Sequence, residues 1–447
     1  MLIVGVIAVV FDTTIVGVAL RTLTVELRTA VGTIQWVTTG YLLALALVVP
    51  LSIWGLRRFG GKRLWLFSLG LFLVGSIGAS LAWNAESLIA WRVVQGAGGG
   101  LMLPVMSTLV IRAAGGKALG RTVTVITLPV LLGPILGPLV GGVILTQLSW
   151  RFMFWVNVPF CVAGLILAAL FLPRDETDSA PGTFDMIGFV LLGPGIVALI
   201  LGLSAAGREN GFGHADALAP ILVGAALVLA FAGYAVRRAD PLVDIRLFAR
   251  RSVASACAVM FCSGFALYGA VLLLPLFYQQ VRGVDALGAG VLLIPQGVGT
   301  LLSRGLTGSL TDRIGARPIA VGGFVIVTLS TIPFAYADAH TSGGLLALWL
   351  VARGFGLSAV MIPVMAVAYE GLDPARIAHA SVLTRVVQQL GGSFGTAVLA
   401  VVLERAVAGR HGDVGAAFGI AFWWAVGFGV LATVLSLWLP GRRGRNP

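Results

Sequence analysis

The sequence predicts an all-α, polytopic membrane protein with about fourteen transmembrane helices. Three observations carry this. Of the 447 residues, 58% are hydrophobic and only 11% are charged, whereas a soluble domain carries roughly 25% charged residues. The apolar residues run in stretches of about 20, the length at which a helix crosses a bilayer. Basic residues gather in alternate loops between those stretches, as they do at the cytoplasmic ends of membrane spans. Mean hydropathy is +1.00, so lipid is the expected solvent for most of the surface.

The apolar stretches fall at 1–20, 34–54, 64–83, 88–111, 122–146, 151–172, 185–205, 217–236, 253–279, 286–308, 317–336, 344–368, 379–403 and 416–439. The first is apolar enough to resemble a signal peptide. It lacks a basic leading segment, carries Asp12 at its middle and ends without a small-residue cleavage site, so it reads as a retained span. No polar stretch is long enough for a soluble domain; the longest are Pro173–Phe184, Ala206–Ala217 and Arg237–Ser252. Loops after even-numbered spans, with the tail, hold nineteen Lys and Arg, and the opposite side holds seven. That bias predicts two cytoplasmic termini and an even number of spans. The net charge of +12 is read as this topological bias, and no nucleic-acid partner is expected. Membrane lipid is the expected surroundings, and a monomer the expected state.

An internal repeat is visible. Between spans two and three the chain reads Ser52-Ile53-Trp54-Gly55-Leu56-Arg57-Arg58-Phe59-Gly60-Gly61-Lys62-Arg63. Between spans ten and eleven it reads Thr307-Gly308-Ser309-Leu310-Thr311-Asp312-Arg313-Ile314-Gly315-Ala316-Arg317. Both end on Arg, an apolar residue, Gly, one more residue and then base. Repeated halves with a substrate path between them are a transporter architecture. Equivalent copies make spans seven and eight an insertion between two six-helix bundles.

Few residues carry chemistry. Asp12 lies mid-span, where an ionised carboxylate costs about 2.5–3.5 kcal/mol on insertion scales. Protonation, an Arg partner or water lowers that cost, and each option makes Asp12 a candidate proton carrier. Arg92, at the start of span four, cannot discharge and needs a partner if buried. Gln95 follows on the same helical face. Arg385 with Gln388 and Gln389 in span thirteen reads similarly. Gly133, Gly137 and Gly141 recur every four residues and form a smooth stripe that lets helices approach, while Pro134 and Pro138 permit bending. Cys161, Cys257 and Cys262 lie in apolar stretches, and His214, His340, His379 and His411 are scattered. No metal spacing, cofactor or enzymatic cluster is seen. No phosphate-binding G-x-x-x-x-G-K-[ST] occurs, so an ion gradient is the expected driving force.

Read as motifs, these segments resemble the major facilitator superfamily, and within it the fourteen-helix drug:proton antiporters. Asp12 through Leu20 resembles the family's D-x-T-I-V-N-V-A-L-P. Trp91 through Gly99, with Arg92, Gln95 and Gly96, resembles R-x-x-Q-G-x-G. Gly133 through Gly142 resembles the antiporter motif G-x-x-x-G-P-x-x-G-G. Trp36–Leu42, Ser149–Arg151, Asn157–Pro159 and Arg385–Gly392 are also similar. The two loop segments resemble G-x-x-x-D-R-x-G-R-[RK]. The resemblance covers nearly the whole chain. It implies an N-terminal bundle at 1–172, two inserted helices at 173–252 and a C-terminal bundle with a basic tail at 253–447. It implies proton-coupled export of lipophilic or cationic drugs across the bacterial cytoplasmic membrane, with Asp12 and Arg92 coupling the proton. It also implies gating by Arg57, Arg58, Gly60, Asp312, Arg313, Gly315 and Arg317.

The first loop departs from the family. Where the family has the Asp that clamps the inner gate, this chain has Arg57. The reversed charge means that the clamp is either rebuilt with another partner or lost. Arg57→Asp, which restores the family residue, is expected to leave transport intact or faster. Two alternatives share the fold: a dedicated metabolite or lipid exporter, and a non-transporting sensor derived from a transporter. A membrane enzyme would need clustered acidic, His or Ser residues on one membrane face.

Overall fold

The computed structural model describes residues 2–29, 31–34, 36–113, 137, 140–173, 183–207, 211–409 and 413–441. Its principal helices are α1 (Leu2–Glu26), α2 (Trp36–Val48), α3 (Leu51–Phe59), α4 (Gly61–Ser80), α5 (Ala85–Ala113), α6 (Asn157–Phe171) and α7 (Met186–Ala206). The chain continues through α8 (Ala215–Arg237), α9 (Arg251–Gln280), α10 (Ile294–Ile314), α11 (Ala316–Ala335), α12 (Gly343–Tyr369), α13 (Pro374–Gly409) and α14 (Val414–Ser436). Among the described residues ten helices are long and apolar enough to cross a membrane, and α2 with α3, bent by 55°, makes an eleventh if the pair is one span. The bend falls at Pro50, which has no backbone N–H to give to the helix ladder. Helices α1 and α10 lie on the first and tenth predicted spans. Most of the fifth predicted span lies outside the described residues. No strand occurs among the described residues.

The two halves repeat their packing. In the first, α5 lies against α2 and α4; in the second, α12 lies against α10 and α11. Helices α7 and α8 pair with each other, and α7 also touches α2 of the first half and α13 of the second. The repeat extends to single residues. Gly60 joins α3 to α4 at φ 83°, and Gly315 joins α10 to α11 at φ 93°. Both conformations strain any residue with a Cβ, which explains the glycine in each loop copy. Lys62 Nζ donates to the carbonyls of Ala169 and Leu172 at 2.7 and 2.8 Å. Arg317 Nε donates to the Leu437 carbonyl at 2.7 Å. Each base thus caps the C-terminal end of the sixth helix of its own half, where orphan carbonyls attract cations.

Apolar packing joins the halves at one end only, among the described residues. One cluster holds the start of α1 (Leu2, Val6), the end of α5 (Met106, Ile111), the end of α12 (Val364, Val367) and the start of α13 (Ile377, Leu383). This is the end that carries the first residues of α1, the end of α14 and the basic loops. At the opposite end the first half has its own cluster, including Ile15, Ala79 and Phe154. The second half there has a separate one, including Phe277, Phe334 and Phe422.

Candidate functional site

Asp12 and Arg92 meet inside the first half. Both side chains are fully buried and form an ion pair, Arg92 Nη1 donating to Asp12 Oδ2. The other carboxylate oxygen accepts from Gln95 Nε2 at 3.0 Å and from Asn157 Nδ2 at 3.1 Å. Three helices beyond α1 therefore supply the partners or hold them: α5 gives Arg92 and Gln95, α6 gives Asn157, and α4 gives Ser76, which accepts from Gln95 Nε2 at 2.7 Å. Arg92 also donates from Nη1 to Gln95 Oε1 at 2.6 Å and from Nε to the Val37 carbonyl at 3.1 Å. Its guanidinium carbon sits 4.0 Å from the centre of the Tyr41 ring, a stacking that adds to a desolvated cation's stabilisation. The spacing of Arg92 and Gln95, one helical turn apart, lets both reach the same carboxylate.

Arg92 Nη2 and Asn157 Oδ1 are buried without a hydrogen-bond partner. The network therefore has a spare donor and a spare acceptor. A protonated Asp12 would become a donor and lose its charge-assisted bond to Arg92, so protonation reorganises contacts across α1, α4, α5 and α6.

Glycines set the distances. A Cβ at Gly96 would fall 2.3 Å from the Tyr41 carbonyl oxygen, and one at Gly100 would fall 2.4 Å from that of Leu45. Helix α5 thus lies directly on the α2 backbone, which is what brings Arg92 to Val37 and Tyr41. Gly137, Gly141 and Gly142 are helical, and a Cβ at Gly141 would fall 2.8 Å from Ile15 Cγ1. The fifth span therefore packs onto α1 one turn from Asp12. Gly133, Pro134 and Pro138 lie outside the described residues.

Arg385 and Gln388 are elsewhere, on α13. Arg385 Nη1 donates to Gln388 Oε1 at 3.3 Å. Both line a cavity between the halves, with Leu103, Pro104 and Ser107 of α5, Met260 of α9, Met361 and Met365 of α12, and Ser381 and Thr384. Among the described residues Arg385 is the only charged one of that lining. Thioether side chains are polarizable and adaptable, a surface suited to varied apolar ligands.

The gate loop has its own partner. Arg57 Nη1 donates to Asp240 Oδ1 at 2.6 Å, in the linker after α8. Four residues on, the Asp244 N–H donates to His379 Nδ1 of α13 at 2.9 Å. The linker therefore contacts both halves, and Arg57, whose clamp the sequence leaves either rebuilt or lost, has a partner in it. Asp185 anchors the same linker: it accepts from Tyr234 Oη at 2.7 Å and from the Leu242 N–H at 2.9 Å. Arg58, Asp312 and Arg313 are exposed. Asn157, Ser76, Asp240 and Asp185 were not singled out as site residues from sequence. Asn157 alone left a signal, as the first residue of the Asn157–Pro159 segment that resembles the family.

Comparison with known proteins bears on this geometry. The profile of the Major Facilitator Superfamily matches residues 2–396. The chain is 38% identical over 395 residues to the Multidrug resistance protein B homolog of Mycobacterium tuberculosis, covering 88% of this chain and 73% of that protein. It is 30% identical over 415 residues to the Tetracenomycin C resistance and export protein of Streptomyces glaucescens, covering 92% and 76%. Among solved structures it resembles the proton:xylose symporter XylE, at TM-score 0.66 and 15% identity, over 99% of this chain and 95% of that one. It likewise resembles the human organic anion transporter MFSD10, at TM-score 0.65 and 15% identity, over 97% of each chain.

Proposed function

The chain belongs to the major facilitator superfamily, and on that footing we propose that it exports lipophilic, drug-like compounds in exchange for protons by alternating access. The observation that carries the proposal is the buried Asp12, held by Arg92, Gln95 and Asn157 in a helical membrane bundle. A titratable group at that depth is costly unless it works. Relatives whose names record multidrug resistance and antibiotic export support the cargo class.

Cargo sits, on this reading, in the cavity between Pro104, Met260, Met361, Met365 and Arg385. The apolar and thioether lining suits lipophilic cargo. A cationic cargo would meet Arg385 there and no carboxylate, so the neutral or weakly acidic lipophiles fit best. Helix α5 carries both Arg92 and the Pro104–Ser107 wall of this cavity. Protonation of Asp12 frees Arg92 and Gln95, and α5 passes that change to the cargo wall. The termini and basic loops lie in the cytoplasm of a bacterial cell on this reading. The halves then meet at the cytoplasmic end and part at the outer end, an outward-facing form. The inserted α7–α8 pair serves as a side scaffold between a bundle at 1–172 and a bundle at 253–447.

The test is cargo-induced proton movement in proteoliposomes with an imposed pH gradient. Proton release coupled to uptake of a lipophilic drug is expected. Drug transport that ignores the pH gradient overturns the coupling. A narrow substrate panel limited to one compound would instead support a dedicated exporter, the reading that kinship with the tetracenomycin exporter favours.

A further inference from the structure

The second half buries a cation that the mechanism above does not use. Arg353, on α12, is 4% exposed. Its Nη2 donates to the Ala266 carbonyl at 2.8 Å and its Nη1 to Gln296 Oε1 at 3.3 Å. Both acceptors are neutral. Among the described residues no carboxylate lies within ion-pairing distance of it. A guanidinium cannot discharge, and removal from water without a countercharge is expensive.

The internal repeat shows what is missing. A Cβ at Gly354 would fall 1.8 Å from the Gln296 carbonyl oxygen, as one at Gly96 would fall 2.3 Å from that of Tyr41. The spacing from Tyr41 to Gln296 is also the spacing from Gly60 to Gly315. By this shared close approach Gly354 stands where Gly96 stands, so Arg353 stands where Gln95 stands, beside the same contact on the corresponding helix of the second half. The first half sets a carboxylate against its cation; among the described residues the second half sets none against Arg353.

A cavity lies at Arg353, between α9, α11, α12 and α14. Its walls include Phe265, Thr328, Phe334, Phe422 and Gly429. Thr328 is 8% exposed, and its Oγ1 is buried with no hydrogen-bond partner. Thr331, on the same helix, behaves otherwise and donates to the Val327 carbonyl at 2.7 Å. A Cβ at Gly429 would fall 2.4 Å from Thr328 Oγ1, so this glycine keeps the space before the hydroxyl open.

We propose that this cavity binds a small monovalent anion, held between the Arg353 guanidinium and the Thr328 hydroxyl. The shared chemistry is one negative charge with acceptor lone pairs, supplied by free chloride or by a short carboxylate. The site is separate from Asp12 and from the cavity at Arg385, and it stands whether or not the chain couples drug export to protons.

The experiment follows thermal unfolding of the purified full-length protein at constant ionic strength. Chloride replaces gluconate in one titration, and acetate replaces gluconate in another. A ligand that binds only the folded state raises the melting temperature with its concentration, in a saturable way. Such a rise is expected with chloride, with acetate or with both, and the difference between the two arms identifies the source. Thr328→Val should raise the half-saturating concentration about tenfold, the loss of one hydrogen bond to a charged group. Gly429→Ala should remove the saturable rise by filling the space, and Arg353→Gln by removing the charge. Absence of a saturable rise with either anion in the wild type overturns the proposal, as does an unchanged half-saturation in Thr328→Val and Gly429→Ala. The latter two decide the matter if Arg353→Gln does not fold.

Discussion

Asp12→Asn removes a charge and keeps the side-chain shape, which makes its consequences calculable from the contacts. Arg92 remains charged and buried. It keeps Gln95 Oε1 at 2.6 Å, the Val37 carbonyl at 3.1 Å and the Tyr41 ring at 4.0 Å, but no carboxylate. Breaking a buried pair by removing one partner costs about 3–5 kcal/mol. The Tyr41 contact exists before and after and does not change that figure. Asp12→Asn should therefore lower stability by about this amount, and Arg92→Gln by a comparable amount. The double variant Asp12→Asn/Arg92→Gln leaves no buried charge at this site. It should cost much less than the two singles together, whereas independent sites add to within about 0.5 kcal/mol. Thermal unfolding of the purified proteins measures the cycle. Additive costs would refute the pair as an energetic unit.

The same variants test coupling. Both Asp12→Asn and the double variant lack a titratable carboxylate, so neither should release protons when drug is added to inverted vesicles. Because the double variant restores stability, a loss of coupling there cannot be blamed on unfolding. Unchanged proton movement in either variant would remove Asp12 from the mechanism. The coupling group would then be sought in the second half, where Glu370 and Glu404 flank the apolar part of α13.

Three further outcomes follow from the contacts. Arg57 and Asp240 are 38% and 49% exposed, so their pair is worth at most about 1 kcal/mol, and Arg57→Gln should shift the population open at that end by no more than about fivefold. Cysteine accessibility at the α5–α13 contact measures this, and Asp240→Arg added to Arg57→Asp should restore the original value. Gly96→Val drives a side chain into the Tyr41 carbonyl, and overpacking of about 1–3 kcal/mol should appear as a lower melting temperature; an unchanged melting temperature would contradict the close α2–α5 contact. A fluorescent-protein fusion after residue 447 should fluoresce and an alkaline phosphatase fusion should be inactive, since the basic bias predicts a cytoplasmic end there.

What the sequence made legible follows from what membranes charge for. Spans are visible because each must present about 20 apolar residues, and the loops are visible because basic residues mark one side. Asp12, Arg92 and Gln95 stand out for the same reason: polar groups in apolar runs are expensive. Ser76 does not stand out, because a serine in such a helix commonly satisfies itself on its own backbone, as Ser68 does on the Leu64 carbonyl. Asp240 is hidden for another reason. It is one exposed acid in a polar linker, and its pairing with Arg57 spans 183 residues of chain, a distance over which no local pattern can speak. The roles of Lys62 and Arg317 were half visible: the repeat showed that each loop ends in base, but only the fold shows that each base caps the last helix of its own half.

The two halves are copies in packing and not in charge, and that difference is an argument about mechanism. If both halves titrated, protonation would act on the two sides of the interface alike and favour neither end. Here the buried carboxylate lies in the first half alone at this depth, with α5 as its main partner. That helix also forms part of the apolar seam and of the cavity between the halves. On the proposed coupling, a proton arriving at Asp12 would change one wall of the cavity and leave α13, the opposite wall, with its Arg385–Gln388 contact. Arg353 makes the second half a static cation where the first has a switchable pair. If the proposed coupling holds, the first half would respond to the proton, the second would provide a reference surface, and cargo between them would feel a change from one side only.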